Sequence, residues 1–159
     1  MVKHNFKRLV IIIIIFVFGC KKSHDTSPNI VFILTDDLAY ADLSSYGSEF
    51  ITTPNIDKMA NDGVKLTSYY AAQAVCSASR AAILTGCYPN RLGISGAFGP
   101  NSKKGINPDE LLLSEMLKNN DYKTGIFGKW HLGDAEKFMP TNHGFCLLYT
   151  SPSPRDSIA

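Results

Sequence analysis

The chain has 159 residues, enough for one modest domain, and its 45% hydrophobic and 19% charged content excludes an intrinsically disordered polymer. The formal charge is +2; Lys3, Lys7 and Arg8 lie in the first 20 residues, and beyond them 13 basic residues face all 14 acidic ones, which excludes the clustered basic footprint of a nucleic-acid binder. Four scattered cysteines exclude a disulfide mini-protein and a paired CxxC zinc site.

Three basic residues precede an unbroken apolar run over residues 9–18. Ten apolar residues span about 15 Å as a helix, half of a bilayer core, so the run reads as an export signal over residues 1–19 and not as a membrane span. Val17-Phe18-Gly19-Cys20 resembles a bacterial lipobox, in which the cysteine becomes the lipid-bearing first residue. The expected product is exported to the bacterial cell envelope and held on the membrane through acyl chains at Cys20. Residues 20–28 read as a short polar tether.

Residues 29–34 form a β-branched apolar run, expected as a strand buried on both faces and ending at Thr35-Asp36-Asp37. A short helix is expected over 54–61, with Pro54 in its first turn and Gly63 at its stop. A second strand is expected over 64–70. A helix follows over 77–84, ended by Gly86. Residues 93–105 carry five aperiodic Gly and Pro residues and read as a loop. An amphipathic helix is expected over 108–119, started by Pro108, Asp109 and Glu110 and burying Leu112, Leu113, Met116 and Leu117. A third strand is expected over 122–127. Strands alternating with helices imply an α/β layered fold with a largely parallel sheet.

In such folds the site lies just past strand C-termini. Two groups fall there: Asp36-Asp37 after the first strand, and Lys129 with His131 after the third. Adjacent carboxylates repel, and a hard divalent cation, calcium or magnesium, relieves this better than zinc. A solvated turn accounts for Asp36-Asp37 equally well on spacing alone. Taken singly, Cys76 reads as an ordinary buried thiol and Arg80 as a surface helix residue.

Residues 74–86, with Cys76-Ser77-Ala78-Ser79-Arg80 at their centre, resemble the first signature of the sulfatase family. Gly86-Cys87-Tyr88-Pro89-Asn90-Arg91 continues it. Tyr122-Lys123-Thr124 and Gly128-Lys129-Trp130-His131-Leu132-Gly133 resemble the second signature. Residues 29–37, 52–57 and 140–145 resemble further family segments in the family's order. The resemblance covers residues 29–145 and implies the N-terminal part of an alkaline-phosphatase-like sandwich, with a largely parallel central sheet flanked by helices.

The resemblance also implies a chemistry. Cys76 is converted by a maturation enzyme to formylglycine, whose hydrated aldehyde attacks sulfur with one hydroxyl and, after the alcohol leaves, expels sulfate as the second hydroxyl loses its proton. Asp36, Asp37 and position 76 match calcium ligands, with magnesium as the alternative ion. Arg80 and Lys129 match sulfate-binding cations, and His131 matches a histidine that hydrogen-bonds the diol and accepts a proton. The implied substrate is an aryl or carbohydrate sulfate, a sulfated small molecule or glycan. Cys87 matches no functional position, and His143 reads as structural or at the rim of the site.

Two departures stand out. Ala78 replaces the proline more usual in the motif, which bears on the maturation enzyme that reads the segment. Residues 146–159 look unlike any sulfatase segment and read as translated read-through, so residues 29–145 are expected to be the N-terminal portion of a longer, active protein and the present chain to be inactive. Two other functions stay open: a phosphate mono- or diester hydrolase of the same superfamily, and a lipid-anchored binder of sulfated glycans without turnover. A redox or zinc role for Cys76 and Cys87 matches no standard spacing.

Overall fold

The computed structural model describes residues 27–100 and 102–149. The export signal, Cys20, most of the tether and residues 150–159 lie outside them. The chain divides into two units between Thr35 and Asp36. In the first unit, residues 27–35 carry no helix and no paired strand, and Ile30, Val31, Phe32 and Ile33 are exposed. This corrects the strand expected over 29–34. A β-branched run favours extended backbone, but a strand is completed by its ladder partners, and no described residue supplies one.

Among the described residues the second unit holds three α-helices, five short 3-10 turns and one small sheet. Helix α1 spans Pro54–Asp62, with proline in the first turn as expected. Its entry is tied down by a polar cluster. The Thr53 amide donates to Ser44 Oγ at 2.8 Å, and the Thr53 hydroxyl donates to Asp57 Oδ1 at 2.9 Å. The second strand, expected over 64–70, is absent. Its polar contacts explain why: the Leu66 carbonyl accepts from the Tyr46 hydroxyl at 2.9 Å, and Lys65 Nζ donates to the Ser45 carbonyl at 2.8 Å while lying over the Tyr46 ring. The Tyr46 side chain and the Ser45 carbonyl of the Ser44–Tyr46 turn hold this segment, and its apolar residues stay exposed.

Helix α2 spans Cys76–Thr85 and ends at Gly86, which adopts φ 70° and donates its N–H to the Ala82 carbonyl. Ala78 and Ala81 are fully buried, and these small residues bring the helix close onto the core. Ile94, Ile106, Leu112, Trp130 and Leu132 complete that core, with Val75, Leu84, Leu92, Phe98, Ile126 and Phe145 packed on it.

Helix α3 is shorter than expected, Leu113–Lys118. Asn107 captures the preceding residues: its side-chain oxygen accepts the Asp109 N–H at 3.2 Å and its carbonyl accepts the Glu110 N–H at 3.1 Å. The Glu115 carboxylate then accepts the Leu112 N–H at 2.8 Å, which fixes the helix start there. Leu112 is buried as expected, whereas Met116 is exposed.

The third strand is trimmed to β1, Gly125–Phe127. It pairs in parallel with β2, Leu147–Tyr149, in the register Gly125↔Leu147, Ile126↔Leu148, Phe127↔Tyr149. The pairing is parallel as expected, but the sheet is small and two-stranded among the described residues. Between β1 and β2 the chain makes two tight backbone crossings. The Ile106 N–H donates to the Leu132 carbonyl at 2.8 Å. Beside it, Gly133 sits at φ 117°, where a Cβ would lie 2.8 Å from the Gly105 Cα and from Phe138 Cβ. Only glycine fits that position. Trp130 closes the layer, donating from Nε1 to the Phe138 carbonyl at 2.9 Å.

Candidate active site

Helix α2 places Cys76 at its first position, half-buried, where the unpaired N–H groups of a helix favour negative charge. Arg80 follows one turn later. Only 11% of its side chain is exposed, so its guanidinium is held by neighbours and not by water. Nη1 donates to the Lys129 carbonyl at 2.6 Å and Nη2 donates to Asp36 Oδ1 at 3.1 Å. Lys129 Nζ donates to the other oxygen of the same carboxylate, Asp36 Oδ2, at 3.1 Å. One carboxylate thus gathers both cations.

Burial acts to raise the Asp36 pKa, but the hydrogen bonds and charges of Arg80 and Lys129 outweigh it, and the carboxyl is held below the ordinary carboxylate range. Asp36, Asp37 and Cys76 form a second grouping. One ligand atom from each lies within 4.8 Å of the others. Asp37 has φ 55° and His131 has φ 58°, so two of the three non-glycine residues with positive φ among the described residues stand at this site. Such conformations cost about 1–3 kcal/mol each and persist only where the surroundings enforce them.

His131 is held by the 93–105 loop. Its Nε2 lies 2.8 Å from the Phe98 carbonyl oxygen. Its Nδ1 is buried and has no hydrogen-bond partner among the described residues, and the same is true of Arg80 Nε. The Phe98 N–H donates in turn to Ser77 Oγ at 3.0 Å, and Ser77 is fully buried.

Asp36, Arg80 and Lys129 are thus in direct contact, and Asp36, Asp37 and Cys76 are clustered. His131 enters through the loop backbone. Ser77 and Phe98 went unmarked in the sequence; the available signal was a serine between Cys76 and Ala78 on a helix face that is otherwise apolar. Cys87 lies just past Gly86, its N–H on Thr85 Oγ1 at 3.2 Å, away from these contacts. His143 is fully buried, 6.1 Å from Trp130 between ring centroids, in a structural setting.

The chain as a whole falls in a known family. A family profile described as Sulfatase matches residues 28–159, and the chain belongs to the Sulfatase family. It is 47% identical over 132 residues to Arylsulfatase A of Bos taurus, across 81% of this chain and 26% of that relative. The crystal structure of Ps i-CgsB matches with a TM-score of 0.76 at 40% identity, over 79% of this chain and 28% of that one. The structure of Ps i-CgsB in complex with k-i-k-neocarrahexaose matches with a TM-score of 0.70 at 40% identity, over 72% of this chain and 26% of that one. The chain spans about a quarter of the length of these relatives.

Proposed function

We propose that this chain carries the nucleophile side of a sulfuric ester hydrolase site that releases inorganic sulfate from a carbohydrate or aryl sulfate. The observation that carries the reading is the convergence on Asp36: its carboxylate holds Arg80 and Lys129 while its ligand atom clusters with those of Asp37 and Cys76. Two permanent or near-permanent cations beside a helix N-terminus suit a tetrahedral oxyanion. The bound oligosaccharide of the Ps i-CgsB complex supports a sulfated glycan as the substrate class.

The donor chemistry bears on both the metal and the modification. Asp36 and Asp37 offer hard oxygens, whereas a Cys76 thiolate is soft and suits calcium poorly. A hydrated aldehyde at position 76 presents oxygen instead, so calcium and formylglycine fit this cluster together better than calcium and thiol. Asp36, Asp37 and position 76 would hold calcium there, and the ion would supply charge that polarises the sulfate. Arg80 and Lys129 neutralise the sulfate oxygens, and His131 accepts a proton on release. These residues form the N-terminal part of an alkaline-phosphatase-like sandwich whose larger sheet lies in the longer protein.

The test uses the full-length gene product made with a formylglycine-generating enzyme. Mass spectrometry of the peptide spanning position 76 is expected to show the aldehyde. An aryl sulfate is expected to be cleaved far faster than the matching aryl phosphate, and Cys76→Ala to abolish turnover. Equal turnover by the alanine variant, or preference for phosphate, overturns the reading. The 159-residue chain alone is expected to be inactive. Export and lipid anchoring at Cys20 belong to the same proposal; Cys20→Ala should move the protein to the soluble fraction and change its gel mobility, and unchanged fractionation contradicts it.

A further inference from the structure

We propose that Ser77 is a positioning residue that fixes the tautomer and orientation of His131 through the backbone of Phe98. A single hydrogen-bond chain runs from the residue after Cys76 to the candidate proton acceptor. The Phe98 N–H donates to Ser77 Oγ at 3.0 Å, and the Phe98 carbonyl lies 2.8 Å from His131 Nε2. A peptide carbonyl only accepts, so Nε2 carries the proton in this contact. The neutral ring then has its lone pair on Nδ1. That atom is buried without a partner among the described residues, which is a costly arrangement unless something is to be bound there.

The arrangement is over-determined in a way that suits a positioning role. Ser77 is fully buried in the first turn of α2, so its hydroxyl cannot drift. Phe98 packs on the core beside it, which anchors the peptide whose two polar groups are in use. His131 holds φ 58°, a conformation that needs outside support. Releasing the Phe98 N–H frees the peptide to rotate, and its carbonyl then leaves Nε2. The meaning of this device for turnover rests on the sulfate-ester reading, in which His131 accepts the proton at Nδ1.

The test does not depend on turnover, so its failure is separable from failure of that reading. In the full chain labelled with nitrogen-15, ring NMR is expected to place the proton of neutral His131 on Nε2, with solvent exchange of that proton and of the Phe98 amide both slowed. In Ser77→Ala both protections are expected to fall by at least about tenfold, and Ser77→Thr, which keeps a hydroxyl, should retain them. If the alanine variant does not fold, Ser77→Cys fills the same volume with a weak acceptor and is expected to show the same two losses. A proton on Nδ1 in the unaltered chain overturns the proposal outright. So does loss of protection at Phe98 with the His131 ring proton unchanged, since Ser77 then supports the loop alone.

Discussion

Arg80 reaches Lys129 through a guanidinium-to-carbonyl hydrogen bond of 2.6 Å, so helix α2 and the segment after β1 are joined by a side chain that also grips Asp36. The contact needs a fork. Lysine carries one charged nitrogen and cannot span the carbonyl and the carboxylate in the same plane. Arg80→Lys is expected to lower stability by about 1–3 kcal/mol, seen as a reduced midpoint in urea unfolding. A midpoint unchanged from the unaltered chain would show that the fork contributes nothing.

Asp36 serves two masters, and calcium should expose the competition. The carboxylate that clusters with Asp37 and Cys76 is also the partner of Arg80 and Lys129. Two carboxylates hold calcium weakly, and we expect dissociation constants no tighter than about millimolar for the chain with an unmodified thiol. Asp36→Asn should remove measurable binding in calorimetric titration. Calcium bound equally well by the asparagine variant would place the ion elsewhere.

His143 sets a pH dependence of stability. Burial lowers its pKa, and this outweighs the opposing pull of Glu115 and of the Lys137 backbone. A base whose folded-state pKa is depressed contributes stability that is fully present above its unfolded value, about 6.5, and is lost as pH falls from there through the folded value. The unfolding midpoint is therefore expected to decline below about pH 6.5, and His143→Met to flatten that decline. A profile that is the same in both chains would assign the acid sensitivity to other groups.

The parts legible in the sequence were those with local signals. Pro54 and Gly86 marked one end each of α1 and α2, and the Cys76 to Arg80 spacing put both residues on one helical turn. Pro108 misled because Asn107 takes up the neighbouring amides before a helix can begin. The runs at 29–34 and 64–70 carried strand composition, but pairing depends on distant partners that periodicity does not encode. At the site, position past the expected strands pointed to Asp36, Asp37, Lys129 and His131, whereas Cys76 and Arg80 stood out only through the family resemblance. The Ser77 to His131 connection stayed hidden because Phe98 makes it with its main chain, which has no residue-type signature.

The crossing of Gly105 over Gly133 divides the 93–105 segment into regions of unequal freedom. Its far end is welded to the backbone ahead of Phe138, where even one methyl group has no room. Any randomisation of that stretch should therefore spare Gly105 and Phe98 and vary the residues between them, since changes at either anchor are expected to give misfolded protein.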